Sequence, residues 1–330
     1  MMSNRAATEV IIDVWRLALT ISFVLASLGC GGSTDQGCLH TMSGHEGYVC
    51  AVALSPSGKQ VVSGAADGKI KFWDVESGQC QRTLDGHAEW VHSVAISSDG
   101  KFFASGGRDD LVKLWDFESG ELLKTFVGHS GLVKSVAYSP DGKLLASCGR
   151  DHVIRVWEIA AGNCLKTLGG DDFFTASMVK FSSDSKRVVF AGDSLQLWDI
   201  ETGSCLRTFE GHTDSVGQIA ISGNGKWIAS GGSYTDHTAR LWDAESGACV
   251  WQKEFPENGG VWSLVFSPQE DILISGHHDG TIKYWDVTSG ECLQSINAHS
   301  EPVSDLSTDL EGHYLVSGSW DKSIKLWKLP

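Results

Sequence analysis

The chain has 330 residues, of which 42% are hydrophobic and 20% charged, with 38 glycines and only 6 prolines. This composition excludes disordered and collagen-like chains and is typical of an ordered globular protein with a sizeable core. The 26 lysines and arginines against 41 acidic residues give a net charge of −15, which argues against a non-specific electrostatic grip on nucleic acid or on an anionic membrane face. Any partner is therefore expected to bind at a local patch of the surface.

The N-terminal segment differs from the rest of the chain. Residues 17–28 are uncharged and mostly apolar, and this run is shorter than the roughly 20 residues that cross a bilayer. It is followed by Gly29 and Cys30, an order typical of a secretory signal peptide. The segment resembles a bacterial lipoprotein signal, in which Cys30 would be lipidated. We therefore expect a signal peptide at residues 1–29, a Gly/Ser tether at 30–37 and anchoring to the bacterial cell envelope; the alternative is an N-terminal extension on a cytoplasmic protein.

Beyond residue 37, tryptophan recurs in one setting at intervals of 41 to 44 residues. Each of these tryptophans closes an alternating, β-branched run, and such alternation indicates a strand. A Ser-Gly pair, a turn similar to Ser-Pro-Asp-Gly-Lys and a Gly-His pair recur upstream, and they divide each unit into four short strands. The recurrent tryptophans are Trp73, Trp115, Trp157, Trp198, Trp242, Trp285 and Trp327.

These repeats resemble the WD-repeat family, whose units form the four-stranded blades of a β-propeller. The resemblance implies an all-β fold, a seven-bladed propeller over residues 38–330. In this family each repeat starts with the outer strand of the preceding blade. Residues 38–42 mirror the outer-strand residues 205–209, and the last unit has no outer strand of its own. We therefore expect the N-terminal strand to complete the last blade and close the ring, which removes two exposed strand edges.

Histidine, serine and aspartate also recur, at fixed distances from the tryptophan. They could be read as Ser-His-Asp triads, but an enzyme needs one activated nucleophile rather than five equivalent ones. The resemblance implies a structural chain in which Trp N–H donates to Ser, Ser to His and His to Asp. We expect no catalytic residue. The predicted chains are His45, Ser63, Asp67 and Trp73; His87, Ser105, Asp109 and Trp115; His129, Ser147, Asp151 and Trp157; His212, Ser230, Asp236 and Trp242; and His299, Ser317, Asp321 and Trp327.

Two units depart from the pattern. In the fourth, Phe190 replaces the serine, Asp193 lies only five residues before its tryptophan, and residues 171–172 are aspartates where Gly-His is expected. In the sixth, residues 256–257 are Pro-Glu at the Gly-His position, while Asp279 is kept. We expect the fourth blade to be the weakest.

The pattern of cysteines and histidines in this sequence predicts neither a metal site nor disulfide bonds. Equivalent outer-strand positions of different blades lie too far apart for disulfides, so the cysteines there are predicted to be free thiols. No metal-ligand spacing is present, and His277, His278 and Asp279 are interpreted as a solvated loop rather than a metal site. We expect no metal and no cofactor. The outer-strand cysteines are Cys38, Cys80, Cys164, Cys205, Cys249 and Cys292.

A partner-binding surface is predicted on the face that carries the Gly-His loops. Residues three and five positions after each histidine, and the residue before each turn aspartate, should lie near the channel at this face. Aromatic residues and arginines are typical of binding hot spots, although some of these side chains could instead pack between blades. The candidates are Tyr48, Trp90, His92, Arg108, Lys134, Arg150, Trp262, His278 and Trp320.

The resemblance implies an interaction platform. We therefore expect a non-catalytic scaffold or adaptor, a monomeric propeller that binds a protein segment of acidic or extended character. No nucleic-acid partner is expected, and membrane contact only through the lipid anchor. The alternatives are a propeller enzyme with a site at the channel mouth, and a sensor or regulatory module that acts with a separate effector.

Overall fold

The computed structural model describes residues 37–169, 176–233, 235–256 and 260–329. In this part of the chain, 28 β-strands form seven sheets of four antiparallel strands, and Gly37–Pro330 is one compact unit. We call each sheet a blade. None of the described segments is a helix that could traverse a lipid bilayer.

In blades 1 to 6 the four strands pair in chain order. Blade 1 contains β2 (Val49–Leu54), β3 (Gln60–Ala65), β4 (Lys69–Asp74) and β5 (Cys80–Asp85); blade 2 contains β6 (Val91–Ile96), β7 (Phe102–Gly107), β8 (Val112–Asp116) and β9 (Leu122–Phe126); blade 3 contains β10 (Val133–Tyr138), β11 (Leu144–Gly149), β12 (Val153–Glu158) and β13 (Cys164–Gly169). Blade 4 contains β14 (Ala176–Phe181), β15 (Arg187–Gly192), β16 (Leu195–Asp199) and β17 (Cys205–Phe209); blade 5 contains β18 (Val216–Ile221), β19 (Trp227–Gly232), β20 (Thr238–Asp243) and β21 (Cys249–Glu254); blade 6 contains β22 (Val261–Phe266), β23 (Ile272–His277), β24 (Thr281–Asp286) and β25 (Cys292–Asn297).

Blade 7 is built from both ends of the propeller sequence. It consists of β26 (Val303–Thr308), β27 (Tyr314–Ser319), β28 (Ser323–Lys328) and, as its outer strand, β1 (Cys38–Ser43). β1 pairs antiparallel with β28. The first strand of each blade contacts the first strands of both neighbouring blades, so these strands form a closed ring. The prediction of a seven-bladed propeller closed by an N-terminal outer strand is confirmed.

The hydrophobic core lies between blades. Second strands such as β3 are buried almost throughout, whereas outer strands such as β5 are largely exposed. Between blades 1 and 2, Val62 and Ile70 share one buried cluster with Val91 and Phe103. The alternating apolar side chains of the sequence are therefore the ones buried against the next blade. Each blade depends on its neighbours for this burial.

Close packing between blades explains the glycine of the recurrent Ser-Gly pair. A Cβ atom added at Gly106 would lie 2.7 Å from Cγ1 of Val133, the first residue of the next innermost strand. At Gly318 the corresponding atom is Cγ1 of Val49, at 2.8 Å, across the junction between blades 7 and 1. A larger residue would push the neighbouring blade away at these points.

The junction between blades 7 and 1 also has polar contacts beside the channel. Ser304 Oγ donates to the carbonyl oxygen of Val49 at 2.6 Å, and the backbone N–H of Val52 donates to Asp305 Oδ2 at 2.9 Å. These bonds satisfy backbone groups on an innermost strand, which has no further sheet neighbour.

The cysteines of the described residues are free thiols, as predicted for the outer strands; Cys30 lies outside the described residues. The free cysteines are Cys38, Cys50, Cys80, Cys148, Cys164, Cys205, Cys249 and Cys292.

Candidate functional site

Polar chains connect the strands of five described blades. In blade 2, Trp115 Nε1 donates to Ser105 Oγ at 2.9 Å, and Ser105 Oγ lies 2.8 Å from His87 Nε2. His87 Nδ1 lies 2.7 Å from Asp109 Oδ1. An ionised carboxylate only accepts, so His87 donates from Nδ1 and accepts from the serine at Nε2. The same contacts occur in His45–Ser63–Asp67–Trp73, His129–Ser147–Asp151–Trp157, His212–Ser230–Asp236–Trp242 and His299–Ser317–Asp321–Trp327.

The position of these chains favours a structural role over catalysis. Ser105 is completely buried, and its oxygen already contacts both an indole and an imidazole. Burial alone would raise the pKa of Asp109, but the hydrogen bonds from His87 and from the N–H of Ala88 outweigh it and hold that pKa below its ordinary value. Asp109 is therefore ionised and fixed, and the chain ties the loop before β6 to the turn after β7.

Blade 6 builds its chain differently. Trp285 Nε1 donates to Ser275 Oγ at 2.8 Å, but the imidazole comes from His277 on the same strand, with Nε2 2.7 Å from that oxygen. His277 is fully buried and packs on Phe255, with ring centroids 4.7 Å apart. The interpretation of residue 277 as part of a solvated loop is therefore wrong, whereas His278 and Asp279 are exposed.

Among its described residues, blade 4 does not form this chain. Phe190 occupies the serine position and is buried, and Trp198 Nε1 donates instead to Gln196 Oε1 at 2.8 Å on its own strand. Asp193 is exposed in the shortened turn. The aspartates at positions 171–172, like residue 257 of blade 6, lie outside the described residues. An apolar side chain thus occupies the serine position of this blade.

The same loops and turns define one face of the propeller. Strands within a blade are antiparallel, so the loop entering each innermost strand and the turn between the second and third strands lie at the same end. The contact between His87 in such a loop and Asp109 in such a turn places both there. We call this end the mouth face.

Every innermost strand carries a β-bulge just inside the mouth face. In blade 2, Val91 pairs with Gly107 and Ser93 with Gly106, so His92 is an extra residue without a ladder partner. A bulge re-aims the side chain of the extra residue. All of these bulge residues line a channel cavity of about 850 Å³: Cys50, His92, Lys134, Ser177, Gly217, Trp262 and Ser304.

Aromatic side chains from blades 6, 7, 1 and 2 form a continuous row, which we call the aromatic arc. Trp262 contacts His278 and Trp320 edge to face, with ring centroids 5.3 and 4.7 Å apart. Tyr48 stacks on Trp320 at 5.2 Å and meets the edge of Trp90 at 6.3 Å. Tyr48 is 41% exposed, so the row is open to solvent. Four blades thus contribute to one apolar surface.

Basic groups continue this row into blades 2 and 3. The Arg108 guanidinium lies 5.6 Å from the ring centre of Trp90 and pairs with Glu89 at 3.3 Å. Lys134 and Arg150 line the channel cavity beyond it. The mouth therefore has an aromatic side and a basic side.

The structure brings together most of the predicted site residues. Trp90, His92, Lys134, Arg150, Trp262, His278 and Trp320 line the channel cavity. Tyr48 and Arg108 do not line it but contact residues that do.

Asp305 is the acidic side chain that lines this cavity from blade 7. Burial raises the pKa of Asp305 to about 6, although hydrogen bonds from the N–H groups of Val52 and Leu306 act to lower it. Both carboxylate oxygens thus accept backbone donors. Within the described ranges, no group of three or more His, Cys, Asp or Glu residues could hold a metal ion.

Comparison with known families gives a match to "WD domain, G-beta repeat" over residues 36–74, 78–116, 120–158, 203–243, 249–286 and 290–328, more than half of the chain. The chain belongs to the WD-repeat family. The WD-repeat match omits residues 159–202, the unit in which Phe190 replaces the serine.

Among WD-repeat relatives, the chain is 32% identical to the Target of rapamycin complex subunit wat1 of Schizosaccharomyces pombe, over 37% of this chain and 38% of that protein. It is 30% identical to the guanine nucleotide-binding protein subunit beta of Zea mays, over 36% of this chain and 33% of that protein. The match thus spans about a third of the length of these relatives. Both relatives are named as subunits of protein assemblies.

The solved structure of U3-55K has the same fold. It superimposes with a TM-score of 0.82 and 23% identity, over 90% of this chain and all of that one. This similarity supports the propeller fold.

Some cavity residues were not among the sequence candidates. Cys50 and Ser304 are bulge residues, and they lie five positions after the histidines of their loops, which is a readable signal. His152 and His237 directly follow turn aspartates and have φ values of 64° and 47°. Asp305 has no such signal, because only the packing of blade 7 against blade 1 gives it its partners.

Proposed function

We propose that this WD-repeat propeller is a non-catalytic scaffold that holds a segment of another protein on its mouth face. The observation that carries the proposal is the aromatic arc, whose rings come from four blades and touch one another around the channel. Residues far apart in the sequence thereby form one surface that no single blade could supply. Solvent-exposed tryptophan, tyrosine and arginine are the side chains most often found at binding hot spots.

The fold supports this proposal because the mouth side chains are not those that hold the blades. Trp90 and Trp262 lie outside the buried clusters between blades, whereas Trp73 and Trp115 belong to them. A monomer supplies the complete arc, so we expect the chain to act as a monomer. The relatives named as subunits of assemblies are consistent with a role in protein interactions.

The experiment is selection of peptides from a random displayed library on the immobilised full chain, followed by binding to variants. Trp90→Ala combined with Arg108→Ala should abolish binding of the selected peptides while leaving the melting temperature nearly unchanged. The control is Leu310→Ala, a 68% exposed residue in the turn between β26 and β27 at the opposite face. Peptides that still bind the double variant, or a melting temperature several degrees lower, would assign these residues to blade packing.

We also propose that the chain is anchored to the bacterial cell envelope through a lipid on Cys30. The support is the apolar run at residues 17–28 followed by this cysteine. Multiple acyl chains hold a protein stably on a membrane, so the mature protein should partition into detergent, and Cys30→Ser should release it. Cys38→Ser, which alters another nearby thiol, is the control. An unprocessed peptide that contains residues 17–35 in the native protein would contradict the anchor.

A further inference from the structure

The basic side of the mouth contains three polar groups without a partner. Lys134 and Arg150 have no ion pair or side-chain hydrogen bond to any residue within 37–169, 176–233, 235–256 or 260–329, and His92 Nε2 is buried without one. We call these residues the basic cluster. Arg108 is not part of it, because Glu89 neutralises it. The cluster therefore has two uncompensated charges in a chain whose overall net charge is −15.

The charges of the basic cluster also bear on the pKa of His92 and of Lys134. Burial, together with the charges of Lys134, Arg108 and Arg150, lowers the pKa of His92 to about 4. Burial and the charge of Arg150 also lower the pKa of Lys134. His92 is therefore neutral near pH 7 and has one N–H to donate, while the cations repel each other.

We propose that the bound segment carries two adjacent carboxylates, from consecutive Asp or Glu residues, that enter the channel at the basic cluster while flanking apolar residues lie on the aromatic arc. This inference rests on the proposed function, and it adds the chemistry of the partner. Lys134 and Arg150 each pair with a carboxylate. Asp305 also lines the cavity, but the cation whose charge acts on it is Lys180 rather than Lys134 or Arg150.

Charge balance is the reason for two carboxylates rather than one. A segment that covers the mouth removes water from Lys134 and Arg150, and a buried charge without a partner is strongly unfavourable. One carboxylate would leave one cation unpaired, whereas two leave none. A neutral segment would leave both unpaired, and a basic one would add repulsion. The aromatic arc beside the cluster supplies the apolar contact that holds the flanking residues.

The test uses four synthetic peptides with the same apolar flanks and different central pairs: Asp-Glu, Gln-Asn, Lys-Lys and phosphoserine-Ala. The Asp-Glu peptide should bind the full chain at least about tenfold more tightly than the Gln-Asn peptide, because charge-assisted hydrogen bonds are about twice as strong as neutral ones. Its affinity should fall as salt rises, and that of the Gln-Asn peptide should not. Lys134→Met with Arg150→Gln should make the two affinities equal.

The matched control is Lys143→Met, which removes the same charge from the same blade at an exposed turn on the opposite face. Lys143→Met should leave the affinity for the Asp-Glu peptide unchanged. An equal loss of affinity in Lys143→Met and in the Lys134→Met, Arg150→Gln double variant would overturn the proposal. Because removing two mutually repelling cations should not lower the melting temperature, the double variant is expected to fold.

The remaining outcomes separate this inference from the proposed function. Equal binding of the Asp-Glu and Gln-Asn peptides that is lost in Trp262→Ala would keep the mouth as a binding surface and reject the acidic segment. Tighter binding of the phosphoserine peptide would reject carboxylates as the ligand. If library-selected peptides bind regardless of Trp262 and Trp90, the proposed function itself fails.

Discussion

Blades 2 and 4 have the same four-stranded structure but carry different side chains at the central position of the second strand. In blade 2 the second strand offers Ser105, whose oxygen links Trp115 to His87. In blade 4 the same place holds Phe190, which is buried in the cluster shared by blades 3 and 4. A directional polar chain fixes the loop and the turn of blade 2 at the mouth face, whereas the apolar side chain of Phe190 fills space between blades. The comparison teaches that the fold requires a filled position there, and that the polar chain adds local order.

The largest effect should come from removing the strand that closes the ring. Blade 7 has a complete polar chain. Deletion of residues 1–43 removes its outer strand, β1, and therefore tests whether the polar chain alone keeps the blade folded. We expect it not to, because β28 would become an unpaired edge and the buried Met42 would be lost. The deletion variant should aggregate in size-exclusion chromatography. Deletion of residues 1–36 is the control, and equal melting of the two variants would rule out this account of closure.

The next effect compares the central positions directly. Phe190→Ala should lower the free energy of unfolding by about 3–5 kcal/mol, because it leaves a cavity. Ser105→Ala should lower it by roughly 1–3 kcal/mol, because the Trp115 N–H and His87 lose a buried partner. Chemical denaturation of both variants measures the difference. A larger loss for Ser105→Ala would mean that the polar chain, not space filling, is the main support of a blade.

A smaller effect is expected at the turn aspartates. Asp109→Ala should lower the free energy of unfolding by about 1–3 kcal/mol, because it leaves the imidazole of His87 and a loop N–H without an acceptor. Asp193→Ala, at an exposed residue of the shortened turn, should lower it by less than Asp109→Ala does. Since the pKa of Asp109 is below its ordinary value, its contribution is present above about pH 4 and is lost as pH falls further. The reverse ranking would show that the shortened turn of blade 4 has its own network.

The final effect is a pH dependence at the junction of blades 7 and 1. Since the pKa of Asp305 is raised to about 6, the folded state binds its proton more tightly than the unfolded state, and stability falls as pH rises from about 4 to about 6. Asp305→Asn removes this dependence. The free energy of unfolding of Asp305→Asn, minus that of the parent, should therefore rise by on the order of 1–3 kcal/mol between about pH 4 and pH 7. The hydrogen bond lost in the variant changes this difference by the same amount at every pH and does not affect the rise. Asp193→Asn controls for net charge, and a pH-independent difference for Asp305→Asn would contradict the raised pKa.

Most of the fold was readable from the sequence because it repeats. Trp115, Ser105, His87 and Asp109 lie at spacings that recur in other units, so one pattern predicts many contacts. The alternative partners, such as Gln196 for Trp198, are single events without a repeat to reveal them.

The candidate site was readable in position but not in its contacts. The residues that line the mouth follow from their distance to each loop histidine. Which rings touch depends instead on how adjacent blades are tilted and on side-chain rotamers. Tyr48 and Trp320, for example, stack although they lie at opposite ends of the propeller sequence, and no local pattern encodes that contact.

Because of the bulges on the innermost strands, the side chains that line the channel are separate from those that hold the blades together. At each bulge the side chain belongs neither to the strand ladder nor to the cluster between blades, and in this chain the residues there range from Gly217 to Trp262. At Gly217 an added Cβ would meet only the hydroxyl end of Ser233 at close range. Apart from Ser304, whose hydroxyl bonds the Val49 carbonyl, the ring thus presents six such positions that the contacts between blades do not fix. A protein engineer could randomise these positions together to obtain new specificities from the same scaffold, since substitution there rewrites recognition without redesigning the blades.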